Sequence, residues 1–290
     1  MKEVIRNEIF KMIKFNFKTI LLATSLLGFA RLGTCQQATQ SLFKNQPIII
    51  AHRGNHVQFP ENSLAAIKSA VEIGADYVEI DLRTTRDNQL ILMHDARVNR
   101  MTNGKGLVKD LSLTQIRNLQ LKGGTDSSAL VVPTFQEVLR YCKGKIKIYL
   151  DFKEADVLQT IQEIITEDMA KDIVVYLNSQ DQIKIWKSAA PEIPVMLSMP
   201  ENITDLKQVE EFLKKYPADI LDGDWSNYSM AMIQFCKKLK IPVWVDIQSS
   251  KENDYYWTKI TAMGFDGLQT DHPEALIRFL RNQKFQKINN

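Results

Sequence analysis

"VEIDLRTTRDNQLILMHD", residues 78–95, carries two β-rich runs, "YVEIDLR" and "QLILMHD", with only five residues between them. Parallel neighbours in a sheet need a crossover of roughly a dozen residues or more, so this pair is expected to fold back as an antiparallel hairpin. Asp87-Asn88 supplies turn chemistry at its centre. With the turn centred there, Asp81 falls opposite His94, and alternation along the strand places Glu79 and Asp81 on one face.

The hairpin settles how the other strands are counted. Beside "ADYVEIDL", seven further runs read as strands: "PIIIAHRG", "KIKIYLDFK", "DIVVYLN", "IPVMLSMP", "ADILDGDW", "IPVWVDIQ" and "FDGLQTD". Between them lie amphipathic patterns such as "NSLAAIKSAVEIG", "DVLQTIQEIITEDMAK", "DLKQVEEFLKKY" and "MAMIQFCKKL". Strand and helix in alternation indicate a parallel sheet with crossover helices. Eight parallel strands, with the hairpin rising from the end of the second, fit an α/β fold of the (β/α)8 TIM-barrel kind. An open doubly wound sheet is the alternative. Residues 96–132, rich in Gly, Ser and Asn and without a barrel repeat, read as a small insertion over the mouth and not as a second domain.

The first 35 residues have a different character. Lys2, Arg6, Lys11, Lys14 and Lys18 precede the apolar run "TILLATSLLGFA", which stops at Arg31, short of the roughly 20 residues a membrane-spanning helix needs. That order predicts an export signal over residues 1–35, a tail over 36–46 and one catalytic domain over 47–290. "LGTC" loosely resembles a lipoprotein cleavage box, with Thr34 where a smaller residue is usual, so a membrane tether through Cys35 is a further expectation. Export would leave the mature protein periplasmic, secreted or membrane-anchored. The net charge of +3 also belongs to this leader, which holds six basic and two acidic residues; without it the charge is −1. No nucleic-acid footprint remains. Cys142 and Cys236 sit in apolar helical patterns and are expected to be buried thiols.

Chemistry-bearing residues collect at the predicted C-terminal ends of the strands, where barrels hold their active sites. "AHRG" contributes His52 and Arg53; "LDFK" adds Asp151 and Lys153 in the same two-apart arrangement as Glu79 and Asp81. Paired carboxylates make a hard, oxygen-rich site suited to Mg²⁺ or Ca²⁺, although on their own they also fit simple pairing with Arg83, Arg86 or a lysine. Glu61 in "FPENS" reaches toward the mouth, with charge at a helix N-terminus as its plainer role. Trp244, with Trp225 and Tyr228, offers an apolar wall for an alcohol moiety or simply core. His56 and His272 read as loop and rim residues. Paired His at helical spacing, a Cys ligand cluster, a "GxSxG" elbow and a "GxxxxGK[ST]" loop are all absent from the sequence, which disfavours zinc hydrolases, serine hydrolases and P-loop enzymes.

"AHRG", "FPENS", "VEIDLRTTRDNQLILMHD", "TNGKG", "LDFK" and "GFDGLQTDHP" resemble, in order and spacing, the motifs of the glycerophosphodiester phosphodiesterase family, from residue 48 to Pro273. The resemblance implies a phospholipase C-like phosphodiesterase barrel and a divalent metal held by Glu79, Asp81 and Asp151. It also implies proton transfer by His52 and His94, with Arg53 and Lys153 on the phosphate. The implied reaction is hydrolysis of glycerophosphodiesters to sn-glycerol 3-phosphate and an alcohol. Three positions depart from the family pattern: Asp151 stands where a Glu is usual, Ser63 where Thr is usual, and Asp246 near the place of an Asn. Two rival readings stay open. One is a phospholipase D-like enzyme acting on lysophospholipids or sphingomyelin, which shares the "Asp-x-Lys" element. The other is a catalytically silent barrel that captures phosphorylated ligands.

Overall fold

The computed structural model describes residues 46–123 and 130–289. The leader, Cys35 and the tail up to residue 45 lie outside the described residues. Eight parallel strands carry the fold: β1 (Ile48–Ala51), β2 (Tyr77–Thr84), β4 (Lys147–Glu154), β5 (Ile173–Leu177), β6 (Val195–Ser198), β7 (Ile220–Asp222), β8 (Trp244–Asp246) and β9 (Gly267–Thr270). They pair in the order β7-β6-β5-β4-β2-β1-β9-β8. The two end strands then meet through isolated bridges, Leu221 with Val243 and Asp224 with Asp246. Across that seam Leu221 N–H donates to the Pro242 carbonyl and Asp246 N–H to that of Gly223, each at 3.0 Å. The sheet thus curls into a (β/α)8 barrel, and the open-sheet alternative is set aside.

Alternation along each strand sorts the side chains into two layers. Val78, Ile80 and Leu82 of β2, with Ile148, Leu150 and Phe152 of β4, face outward into the main core beneath the helices. The opposite parity points inward, where Ile50, Tyr149, Val174, Met196, Ile220 and Trp244 fill the barrel. The outer shell is built from α1 (Leu64–Ile73), α3 (Phe135–Cys142), α4 (Val157–Thr166), α5 (Ile183–Ala189), α6 (Leu206–Lys215), α7 (Met230–Lys238), α8 (Asp254–Met263) and α9 (Pro273–Asn289). Ser63 caps α1 by accepting from the Ala66 N–H, and Gly74 ends it in the left-handed region at φ +81°. Cys142 and Cys236 are free and buried.

The expected hairpin is present: β3 (Leu90–Leu92) pairs antiparallel with β2. Its register is one residue away from the expected one, because Leu82 faces Leu92 and Met93 N–H donates to the Asp81 carbonyl at 3.0 Å. The cause is the turn. Thr85 N–H donates to the Gln89 carbonyl and Asn88 adopts φ +56°, so three residues centred on Asp87 form the loop in place of a two-residue turn. Asp81 therefore lies opposite Met93, and His94 sits just past the strand. Beyond it, the described residues between 96 and 132 hold a 3-10 turn (Val108–Asp110), a short helix, α2 (Leu113–Arg117), and an apolar cluster. Val98, Met101, Val108, Ile116 and Val132 pack there with Ile91 and Met93 of the hairpin.

Candidate active site

A cavity of about 310 Å³ opens at the C-terminal ends of the strands, lined by His52, Arg53, Glu79, Asp151 and Lys153 on one side and by Asp222, Asp246, Gln248 and Gln269 on the other. The turn after β1 places the first two. Gly54 sits at φ +84°, and a Cβ there would come within 2.7 Å of the Ala66 backbone, so the chain turns only because this residue has no side chain. Arg53 itself is held at φ +52°, a conformation uncommon for a residue with a side chain. Its N–H donates to Glu79 Oε2 at 2.8 Å. Its guanidinium donates to Glu61 Oε1 at 3.1 Å and lies 3.3 Å from Asp81 Oδ2.

His52 is fixed at one ring nitrogen: Nδ1 lies 2.6 Å from Asp271 Oδ1, and Nε2 points to Glu79 Oε2 at 3.9 Å. Burial works against the Asp271 charge, but the bond to His52 and the nearby His56 and Arg53 hold its carboxyl below the ordinary range. An ionised carboxylate only accepts, so Nδ1 carries the proton and Nε2 is the working atom. Glu252 supports the arrangement by accepting the Asp271 N–H at 3.1 Å.

Oxygens of Glu79, Asp81 and Asp151 all lie within 4.8 Å of one another. β2 and β4 pair Asp81 directly with Asp151, so strand register creates this proximity. Glu79 and Asp81 are almost fully buried. Burial, reinforced by Asp81 and Asp151, pushes the Glu79 carboxyl well up; burial and then Asp81 raise that of Asp151 against the pull of Lys153. Such crowding of negative charge calls for a cation. Lys153 supplies part of it, bonding to Asp151 and lying 3.4 Å from Asp81 Oδ1. Burial lowers the Lys153 pKa, yet Asp151 and Asp81 outweigh it and the net shift is upward. Asn62 holds Asp81 from behind, donating to Oδ2 at 2.7 Å and accepting the Asp81 N–H at 3.0 Å. Asn178 donates to Asp151 Oδ1 at 2.6 Å. The donor set is all carboxylate oxygen, which fits a hard dication.

Of the expected site residues, the cavity brings together His52, Arg53, Glu79, Asp151 and Lys153, with Asp81 directly beneath. His94 does not line it. Its carbonyl accepts two bonds from Arg83, at 2.7 and 2.9 Å, and its Nδ1 lies 2.9 Å from Asp95 Oδ1. Glu61 lies two residues ahead of the Ser63 cap and pairs with Arg53 and Arg100. Trp244 is buried inside the barrel, 4.9 Å from the Tyr77 ring, where a Gly267 Cβ would meet it at 2.6 Å, which is the core setting of the two that its sequence allows. On an inward-facing strand the next residue of the same face is two positions on, roughly 6.6 Å higher, and that residue is Asp246. Tyr228 is also core, its hydroxyl donating to the Asp222 carbonyl at 2.7 Å.

Several residues at the mouth were not singled out from sequence: Asp271, Asn62, Asn178, Asp95, Arg100, Tyr149, Tyr176, Asp222 and Gln269. Strand parity held a signal for some of them. Tyr149 shares the face of Asp151, and Gln269 pairs with Asp246 in register. Asp222 is the most unusual: burial, and then Asp246, push its carboxyl well up, while Oδ1 finds no hydrogen-bond partner.

Residues 52–275 match the glycerophosphoryl diester phosphodiesterase family. A glycerophosphodiester phosphodiesterase of Caldanaerobacter subterraneus subsp. tengcongensis is 28% identical over 243 residues, covering 81% of this chain and 98% of that protein. Glycerophosphodiester phosphodiesterase 1 of Bos taurus is 40% identical over 109 residues, 36% of this chain and 33% of that one. Among solved structures, an Oleispira antarctica phosphodiesterase in complex with the product sn-glycerol-3-phosphate superposes with a TM-score of 0.71 at 20% identity, covering 83% of this chain and 99% of that one. The motif order, the barrel and the match over most of the described residues agree: the chain belongs to the glycerophosphoryl diester phosphodiesterase family.

Proposed function

We propose that this phosphodiesterase hydrolyses small glycerophosphodiesters to sn-glycerol 3-phosphate and an alcohol, with His52 and His94 sharing the two proton transfers. The observation that carries this reading is the setting of His52, whose Nδ1 is tied to Asp271 while Nε2 faces the Glu79 side of a three-carboxylate cluster. Imidazole suits both tasks because its ordinary pKa of about 6.5 lies near working pH. One ring takes the proton of the attacking substrate hydroxyl and the other gives one to the leaving alkoxide, which departs as the alcohol; water then opens the resulting cyclic phosphate to glycerol 3-phosphate, with the two rings exchanging tasks. Glu79, Asp81 and Asp151 would hold Mg²⁺ or Ca²⁺. When bound, such an ion supplies positive charge to a non-bridging phosphate oxygen and to a substrate hydroxyl. Arg53 and Lys153 add the rest, Arg53 as a fork and Lys153 as a point charge. The basic and apolar leader would make this an exported enzyme, with Cys35 offering a thiol for lipid attachment.

A panel of glycerophosphodiesters, with lysophosphatidylcholine alongside, assayed after EDTA treatment and with each dication restored, tests the reaction. Release of glycerol 3-phosphate from glycerophosphocholine, lost with EDTA and restored by Mg²⁺ or Ca²⁺, is the expected result. Choline release confined to lysophosphatidylcholine would instead favour the phospholipase D-like reaction, and no turnover of any diester would leave a binding protein.

A further inference from the structure

Arg100 lies on the segment that follows the hairpin, outside the cavity lining, and spends four donor bonds on two carboxylates. Nε and Nη2 donate to Asp95 Oδ2 and Oδ1 at 2.8 and 2.9 Å. Nη1 and Nη2 donate to Glu61 Oε2 and Oε1 at 2.9 and 2.7 Å. Each carboxylate also serves a second partner. Asp95 Oδ1 meets the His94 ring nitrogen Nδ1 at 2.9 Å, and Glu61 Oε1 accepts from Arg53 Nη1 at 3.1 Å. One guanidinium thus stands between the two side chains that the cavity geometry leaves apart.

The charges are consistent with a permanent clamp. The bond from Arg100, opposed by burial and helped by His94, holds the Asp95 carboxyl far below the ordinary range. Burial raises the Glu61 carboxyl, but Arg100 and Arg53 outweigh it and leave it lowered. With Asp95 ionised, it can only accept, so His94 carries its proton on Nδ1 and presents Nε2. A planar fork can hold two carboxylates at once in fixed directions; an ammonium cannot. Arg100 is half-exposed on its outer side, and its contribution is directional more than energetic.

We propose that Arg100 is a positioning residue that holds His94 and Arg53 in a common orientation toward one phosphate, acting through Asp95 and Glu61. This rests on the reading of His94 as a proton carrier and Arg53 as a phosphate contact. It also makes Arg100, at the start of the segment after the hairpin, a working part of the site.

The test uses the full chain with Arg100→Ala and Arg100→Lys, assayed on glycerophosphocholine with the dication restored, with and without added methylguanidinium. Misplacing a proton carrier by about 1 Å costs on the order of 100-fold, so Arg100→Ala is expected to lose about that much in kcat. KM should rise by no more than about tenfold, the share carried by Arg53 as a phosphate contact, so that most of the loss falls on kcat. Methylguanidinium should restore roughly tenfold or more of the kcat, and Arg100→Lys should fall short of wild type by a similar factor. Nitrogen NMR of the His94 ring gives a readout apart from turnover: one Nδ1-protonated tautomer in wild type, a mixture in Arg100→Ala, and a return to one with methylguanidinium. A folded Arg100→Ala with kcat within about threefold of wild type, a loss carried by KM alone, or an unchanged His94 ring would each overturn the proposal. If Arg100→Ala does not fold, Arg100→Lys is judged by the same ring spectrum and the same kcat. Wild type without turnover would sink the functional reading, while the ring spectrum would still judge Arg100.

Discussion

Two carboxylates two positions apart on a strand can be an ion pair with a neighbouring base or the floor of a cation site, and at Glu79 and Asp81 the difference is made by Asp151. Register across β2 and β4 adds the third carboxylate, and Arg53 and Lys153 cover only part of the resulting charge. Glu79→Ala should therefore weaken Mg²⁺ or Ca²⁺ binding, measured by titration calorimetry, and remove turnover with it. His94→Ala should leave that binding near wild type while kcat falls by roughly 10² to 10⁴, the ordinary worth of a proton carrier. Equal losses of binding in both variants would contradict this division. Asp222 gives a prediction with a sign. Its folded pKa is raised by burial and by Asp246, so between the unfolded and folded values the native state holds more protons and stability falls as pH rises. Asp222→Asn removes that loss, and its advantage should be absent below the ordinary carboxylate range and grow as pH rises above it. Relief of about 1 kcal/mol would raise Tm by roughly 2–4 °C in a chain of this size. A variant less stable than wild type throughout that rise in pH would show that the Ser198 bond to Asp222 matters more than the charge. Residue identity and strand alternation, which is local, made Glu79, Asp81 and Asp151 legible, whereas Asp222 lay in a short run that drew no attention. Asp95 and Arg100 were not legible either, since a two-carboxylate fork depends on where a loop crosses back over the mouth.

Turns, more than strands, set the accuracy of the reading at the level of elements. Each run of β-branched residues became a strand, because apolar alternation and parity are carried by the run itself. The hairpin register slipped by one residue because Asp87-Asn88 was assigned a two-residue turn, whereas Asn88 takes the left-handed position of a three-residue loop. Helices α5 and α8 each connect two strands and α9 follows the last, so their place follows from the strands themselves. The β1–α1 turn is the element whose failure would cost most. Gly54→Ala would force a side chain into the left-handed region, at roughly 1–2 kcal/mol, and drive its Cβ against the Ala66 backbone, at roughly 1–3 kcal/mol more. Urea unfolding should show a loss of about 2–5 kcal/mol together with impaired turnover, because the same turn aims His52 and Arg53. A loss below about 1 kcal/mol would mean that α1 can shift to make room.

Closure of the barrel is what the sequence left open between two topologies, and the structure shows why the choice was hard. The seam is made by β7 and β8, three residues each, and by the Leu221–Pro242 and Asp246–Gly223 hydrogen bonds outside the regular ladder. β2 and β4, in contrast, pair from Tyr77 to Arg83. No run of residues announces a seam that thin; it follows from eight strands of the same tilt coming full circle. Asp222 and Asp246 face the cavity at this seam, each with burial opposing its charge. The weakest joint of the barrel thus coincides with Asp222, a buried acid whose Oδ1 finds no hydrogen-bond partner. Local opening should start there, since regions with few ladder bonds open at free energies below that of global unfolding. Native-state hydrogen exchange is expected to release the Leu221 and Asp246 amides well before those of Val78 to Leu82, and more slowly in Asp222→Asn than in wild type. Exchange of both sets at one common rate would mean that the barrel opens only as a whole, with the seam no weaker than the β2–β4 ladder.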